Sequence, residues 1–232
     1  MDGSAYLERR GQLQQYFDRT AVRAWERLTS DAPVSRIRAT VRAGRNRMRR
    51  LMLDLLPAQL DGRRLLDAGC GTGALSLEVA ARGASVVAVD LSPTLVGLAR
   101  ERSSGAGQDA VDFRVGDMCD AGLGEFDSVL AMDSLIHYEA DDIVRVLEAW
   151  GPRTRRSMLF TFAPRTPALA VMHSIGRVFP RSDRAPAIAP VSEARLRERL
   201  SLSPELRDWC VGHSERIASG FYTSHLMELV RI

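Results

Sequence analysis

Lysine is absent from this chain of 232 residues, and all 32 basic side chains are arginine. Genome base composition accounts for such a bias, so the absence carries little functional weight. Cysteine is scarce. Cys70, Cys119 and Cys210 are too few and too scattered for a disulfide framework or a zinc cluster. An odd count of thiols, with no basic-then-apolar leader after Met1, suits a reducing cytoplasm. No apolar run approaches the ~20 residues that span a bilayer. What is present is ordinary for a soluble globular protein: 45% apolar and 26% charged residues. A collagen-like, disulfide-stapled or wholly disordered chain is thereby excluded.

Charge is unevenly placed. Residues 1–60 hold twelve arginines against six acids, and residues 61–232 hold twenty against twenty-three. The span 34–50 carries seven arginines and no acid. Such a segment suits nucleic acid, an anionic membrane or a ligand with several carboxylates, and equally a solvated helix face.

Hydrophobic periodicity divides the chain at about residue 60. Before it, Leu13, Phe17, Ala21, Ala24, Trp25 and Leu28 recur at helical steps. A second helix is expected over 35–56, with Ser35 as its cap and Pro57 as its stop. After it, strands are expected at 64–68, 85–90, 110–115, 126–132 and 157–163. Helices are expected at 74–82, 92–103, 141–151 and 191–200. Two strand-like runs follow, near 207–211 and 220–229. Strands alternating with helices imply a parallel sheet covered on both faces. Residues 164–190 break the rhythm with five prolines around an apolar piece at 169–179, and read as an insertion or lid.

The strongest chemical signal is Asp67-Ala68-Gly69-Cys70-Gly71-Thr72-Gly73. Its glycines allow a tight strand-to-helix turn and close backbone approach to a ligand. The spacing Gly-x-Gly-x-Gly, preceded by an acid, is not the dinucleotide pattern Gly-x-Gly-x-x-Gly. An acid at that strand end repels phosphate and suits a cation such as an ammonium or a sulfonium.

Here the sequence resembles the class I S-adenosylmethionine-dependent methyltransferases. Asp90 ends the second strand, where the family's acid holds both ribose hydroxyls, with Leu91 beside it. Asp117 and Met118 follow the third strand, where the family's acid and its neighbour frame the adenine. Met132-Asp133-Ser134 ends the fourth strand, which the family places beside the reacting methyl, with Met132 as the cofactor residue. With Asp67, Gly69, Gly71 and Gly73 these are the implied cofactor residues. There is no Asn-Pro-Pro-Tyr-type strand end, as in base methyltransferases, and no glutamate pair, as in protein-arginine methyltransferases.

Three further stretches sharpen the match: Tyr16-Phe17-Asp18-Arg19-Thr20 with Trp25, then Met132-Asp133-Ser134-Leu135-Ile136-His137-Tyr138, then Gly220-Phe221-Tyr222. Together they resemble the magnesium-protoporphyrin IX O-methyltransferases of (bacterio)chlorophyll synthesis, over nearly the whole chain. Where some relatives have a second tyrosine after Trp25, this chain has Leu28-Thr29, so a role resting on that tyrosine is not carried over.

The resemblance implies an α/β fold: a Rossmann-like, seven-stranded, mostly parallel sheet with an N-terminal helical cap over 1–60. The methyltransferase core is expected over 61–232, with a lid at about 164–190 after the fifth strand. It implies methyl transfer from S-adenosylmethionine to a propionate, leaving S-adenosylhomocysteine. His137 and Tyr16 are the implied catalytic residues, hydrogen-bonding the reacting carboxylate. Ser134, Tyr138, Met172 and Phe179 join them around the substrate. Arg42, Arg45, Arg177 and Arg181 are candidates for the second propionate. Magnesium is expected only within the substrate, with His173, His213 and His225 as ordinary histidines. Nucleic acid is not an expected partner, whereas weak association with the photosynthetic membrane or a pathway enzyme is. Two other readings stay open. One is a methyltransferase of a quinone or phenol, where His137 serves as base. The other is a non-catalytic nucleic-acid-binding module.

Overall fold

The computed structural model describes residues 10, 11, 13, 14, 36–103, 110–165 and 188–232. Helix α1 (Arg36–Asp54) leads into a repeating pattern of strands and helices. The order is β1 (Arg64–Ala68), α2 (Ala74–Ala80), β2 (Ser85–Asp90), α3 (Pro93–Ser103), β3 (Val111–Val115) and β4 (Phe126–Ala131). Then come α4 (Ala140–Trp150), β5 (Thr154–Phe162), α5 (Glu193–Ser201), β6 (Trp209–Ser219) and β7 (Tyr222–Arg231). The described strands form one seven-stranded sheet in the order β3-β2-β1-β4-β5-β7-β6. Strands β1 to β5 pair in parallel, and β7 runs antiparallel between β5 and β6.

Alternation along each central strand sends side chains to two cores. Leu66, Ala68, Val87, Val89 and Val129 pack on one face with Ile143, Leu147 and Trp150 of α4. Leu65, Val86, Ala88 and Leu130 pack on the other with Met48 and Met52 of α1. Burial on both faces explains why these strands read as unbroken apolar runs rather than alternating ones. The chain order reverses between β1 and β4, so the carboxyl ends of β1, β2 and β4 open a crevice at that switch point.

Several boundaries differ from the sequence reading. Strand β5 starts at Thr154 rather than 157, because Arg155 and Arg156 are exposed and break the apolar signal. Strand β6 runs on to Ser219 rather than stopping at 211. It is an edge strand with one solvated face, so its polar side chains hid it. Helix α2 ends at Ala80, two residues short of the expectation. The Ser35 cap, the periodic residues 17–28 and the apolar piece 169–179 lie outside the described residues. Both ends of the 164–190 stretch are pinned near the crevice. Arg165 N–H donates to Val191 O at 3.0 Å, Val191 N–H to Ala163 O at 2.8 Å, and Ala189 N–H to Ile136 O at 2.9 Å. No helix of the described residues is long and apolar enough to cross a membrane.

Candidate active site

The turn from β1 into α2 is built around left-handed glycines. Gly69 has φ 78°, and a Cβ there would stand 2.4 Å from Cβ of Ser134. Gly73 has φ 77°, and a Cβ there would meet the Phe113 ring at 2.8 Å. Only glycine satisfies both the backbone and the space at these two points. Gly69 and Cys70 N–H both donate to Val89 O, at 2.8 and 3.0 Å, which ties the loop to β2. Gly71 N–H donates to Asp90 Oδ2 at 2.9 Å, and Ser92 N–H to Asp90 Oδ1 at 2.9 Å. Two backbone amides thus fix the Asp90 carboxylate at the mouth of the turn.

Above this turn lies a cavity of about 660 Å³, part of it continuous with solvent. Gly69, Gly71, Asp90, Leu91, Asp117, Met118 and Met132 line it, as do Ser134, His137 and Tyr138. Ten of the residues singled out from sequence therefore meet around one space. Asp67 and Gly73 are not among its lining. Asp67 is 2% exposed and accepts from Ser76 Oγ at 2.6 Å, directly behind the loop. Gly73 instead lets the start of α2 pack against Phe113 and Ala99. Tyr16, Met172 and Phe179 lie outside the described residues. Leu13, 4% exposed, reaches over the cavity from the N-terminal arm. Nearby, Arg10 pairs with Asp117 at 2.5 Å.

Burial governs the ionisation of the groups here. It raises Asp67 from an ordinary carboxyl near 3.8 to about 6, and the charge of Asp90 adds to the effect against the Ser76 hydrogen bond. Burial, then the charges of Asp90 and Asp67, keeps Cys70 a thiol. Tyr138 and Tyr222 are pushed up first by burial, so both phenols stay protonated donors. The Asp67 shift has a measurable sign. A carboxyl raised on folding favours the folded state when protonated, and that contribution is lost as pH climbs from about 4 to about 6. The melting temperature of Asp67→Asn, relative to wild type without ligand, should therefore increase between pH 4 and pH 7. A difference that stays constant across that window would show that Asp67 titrates normally.

The strand-end motif of the sequence includes Asp133, to which the sequence assigns neither a role nor a partner. Asp133 has φ 57°, the one left-handed non-glycine among the described residues. It lines the cavity and is 8% exposed. Its N–H donates to Thr161 Oγ1 at 2.7 Å, while Tyr222 Oη and Ser224 Oγ donate to its Oδ1 at 3.0 and 3.3 Å. Arg45 of α1 lies 2.8 Å from its Oδ2. The two charges meet off the hydrogen-bond axis. Arg45 was a candidate for the second propionate, yet its charge faces Asp133. More broadly, the basic span 34–50 is partly engaged within the fold. Arg47 pairs with Glu215 at 3.5 Å and Arg49 with Glu78 at 2.5 Å.

Of the other histidines, His213 and His225 are not part of the cavity lining, and His173 lies outside the described residues. His225 stacks on Phe162 with centroids 4.9 Å apart and shares a 2.9 Å hydrogen bond with Ser214. Its burial lowers its proton affinity. Among the described residues no three His, Cys, Asp or Glu side chains gather as a metal-binding group.

Comparison with known proteins bears on this site. Residues 131–231 match the family model for the magnesium-protoporphyrin IX methyltransferase C-terminus, and residues 65–155 a general methyltransferase domain. The chain is 47% identical to the magnesium-protoporphyrin O-methyltransferase of Rhodobacter capsulatus, covering 97% of this chain and 98% of that one. It is 28% identical to the Synechocystis enzyme of the same name, covering 98% and 99%. Its fold superposes on the crystal structure of magnesium protoporphyrin IX methyltransferase from Synechocystis with bound S-adenosylhomocysteine. That match has a TM-score of 0.83 at 28% identity and covers 96% of this chain and 99% of that one.

Proposed function

Because the chain belongs to the magnesium-protoporphyrin O-methyltransferases, we propose that it esterifies a propionate of magnesium-protoporphyrin IX with a methyl group from S-adenosylmethionine. The reaction is a step of (bacterio)chlorophyll synthesis. The observation that carries the reading is the convergence of the glycine turn, Asp90 and Asp117 with Ser134 and His137 on one cavity.

The residues present fit the methyl donor. Ser134 Oγ is buried with no hydrogen-bond partner, and the absence of a Cβ at Gly69 lets that side chain pack against the turn. Gly69 and Gly71 would lie along the donor's amino-acid portion. Asp90 would hold the ribose hydroxyls, with Leu91 packed beside them. Asp117 and Met118 would frame the adenine, and Met132 would stand near the methyl. Asp67 and Gly73 would support the turn from behind rather than touch the ligand. When bound, S-adenosylmethionine supplies an electrophilic methyl on a sulfonium that departs as a neutral thioether.

The chain's own task is modest. A propionate is ionised at neutral pH, since ordinary carboxyl values lie near 4, so no strong base is required. His137, 7% exposed, and Tyr16 would orient one carboxylate oxygen without neutralising it. Charge is lost in the reaction, so excluding water favours it. Leu13 and the 164–190 segment, whose ends lie beside β5 and Ile136, would close over the acceptor ring with Met172 and Phe179. Positioning of this kind supplies up to ~7–11 kcal/mol in favourable systems. Residues 1–60 act as the cap and 61–232 as the core in this reading. Magnesium belongs to the substrate. The protein works in the cytoplasm, or peripherally at the photosynthetic membrane where so apolar a ring resides.

The test is incubation with magnesium-protoporphyrin IX and S-adenosylmethionine, followed by chromatography for the monomethyl ester. Micromolar binding should also shift and sharpen the Soret band. No ester, with donor binding intact, would remove the porphyrin from consideration.

A further inference from the structure

We propose that Arg45 and Tyr222 are positioning residues that hold Asp133 at the cavity wall and cancel its charge, so that an anionic acceptor is admitted there. The inference rests on the reading that the acceptor is a carboxylate.

Asp133 sits between Met132 and Ser134, both on the cavity lining. Its left-handed backbone is rare for a residue with a Cβ, so surrounding contacts must hold it there. Those contacts come from three separate elements. Thr161 of β5 takes the backbone N–H, while Tyr222 and Ser224 of β7 donate to Oδ1. Arg45 of α1 faces Oδ2. The arginine side chain is 15% exposed and the aspartate side chain 3%, so solvent screens the pair little.

The reactants carry opposite charges, and this makes the pair consequential. An uncancelled carboxylate in that wall would attract a sulfonium and repel a propionate. With Arg45 in place the Asp133 carboxylate between Met132 and Ser134 is answered by a positive charge, so that part of the wall no longer favours the cation over the anion. Helix α1 reaches this position because Gly44 presents no side chain. A Cβ there would stand 2.5 Å from Cδ1 of Tyr222. Gly220 plays the same part for Thr40, where a Cβ would meet Oγ1 at 2.6 Å. Contacts with the β6–β7 hairpin thus place the arginine that faces Asp133.

Charge makes the test two-sided. Arg45→Gln should raise the KM for magnesium-protoporphyrin roughly tenfold or more. S-Adenosylmethionine affinity, measured by calorimetry without porphyrin, should be held or tightened. Adding Asp133→Asn should return the porphyrin KM to within a few-fold of wild type, because the amide still accepts from Tyr222. Asp133→Asn alone removes the carboxylate that Arg45 faces and keeps the arginine. It should weaken S-adenosylmethionine while sparing or tightening the porphyrin, and it serves if Arg45→Gln does not fold. A purely structural role predicts loss of both ligands in each single variant and no rescue in the double. Either result would overturn the proposal. Failure of wild type to bind porphyrin would instead fall on the reading under Proposed function, since the donor affinities are measured without it.

Discussion

Asp90→Ala should weaken S-adenosylmethionine binding by about 1.5–3 kcal/mol, the range for hydrogen bonds to a charged group. Two losses combine in that figure. The ribose hydroxyls lose their acceptor. The glycine turn also loses a brace, since Gly71 and Ser92 N–H both donate to this carboxylate at 2.9 Å. Asp90→Asn separates them: it keeps an acceptor and the side-chain shape, and should lose less. Calorimetry on the folded proteins checks both. Unchanged affinity in Asp90→Ala would refute the ribose assignment. Equal losses in the two variants would place the effect in the charge rather than in the acceptor.

How much of this was legible from the chain follows from where each signal is stored. Strands β1 and β2 begin and end where expected, at Arg64–Ala68 and Ser85–Asp90. They are buried on both faces, so hydropathy and a terminal acid mark them locally. The glycine turn is equally local: its conformation is demanded by residues in contact along the chain. Strand β6 was cut short because an edge strand needs only one apolar face. The pairing of Asp133 with Arg45 was invisible for a different reason. Each residue lay in a stretch singled out for other chemistry, one as part of a strand-end motif and one as part of a basic helix. Nothing in sequence spacing says that α1 delivers its charge to the end of β4. That information resides in the packing of Gly44 on Tyr222 and of Thr40 on Gly220.

The same distinction between local chemistry and packing decides what His137 does. It stands at the cavity, 7% exposed, three residues beyond Ser134. If it orients a carboxylate that is already ionised, then His137→Gln should retain measurable activity, because an amide still donates a hydrogen bond. His137→Phe donates nothing, leaves the carboxylate poorly held and should lose considerably more. The wild-type rate should show no fall as pH drops through the ordinary imidazole range near 6.5. If His137 instead deprotonates a phenol, both variants should lose a similar ~10²–10⁴-fold, the usual contribution of a general base. The wild-type rate would then decline with acid, and His137→Gln would abolish that limb. The two substitutions differ only in whether the ring is replaced by a donor, so their ratio reads the role directly. Single-turnover rates at saturating S-adenosylmethionine keep donor binding out of the comparison. Comparable collapse in both, together with the acid limb, would replace carboxylate esterification by base-assisted methylation of a hydroxyl.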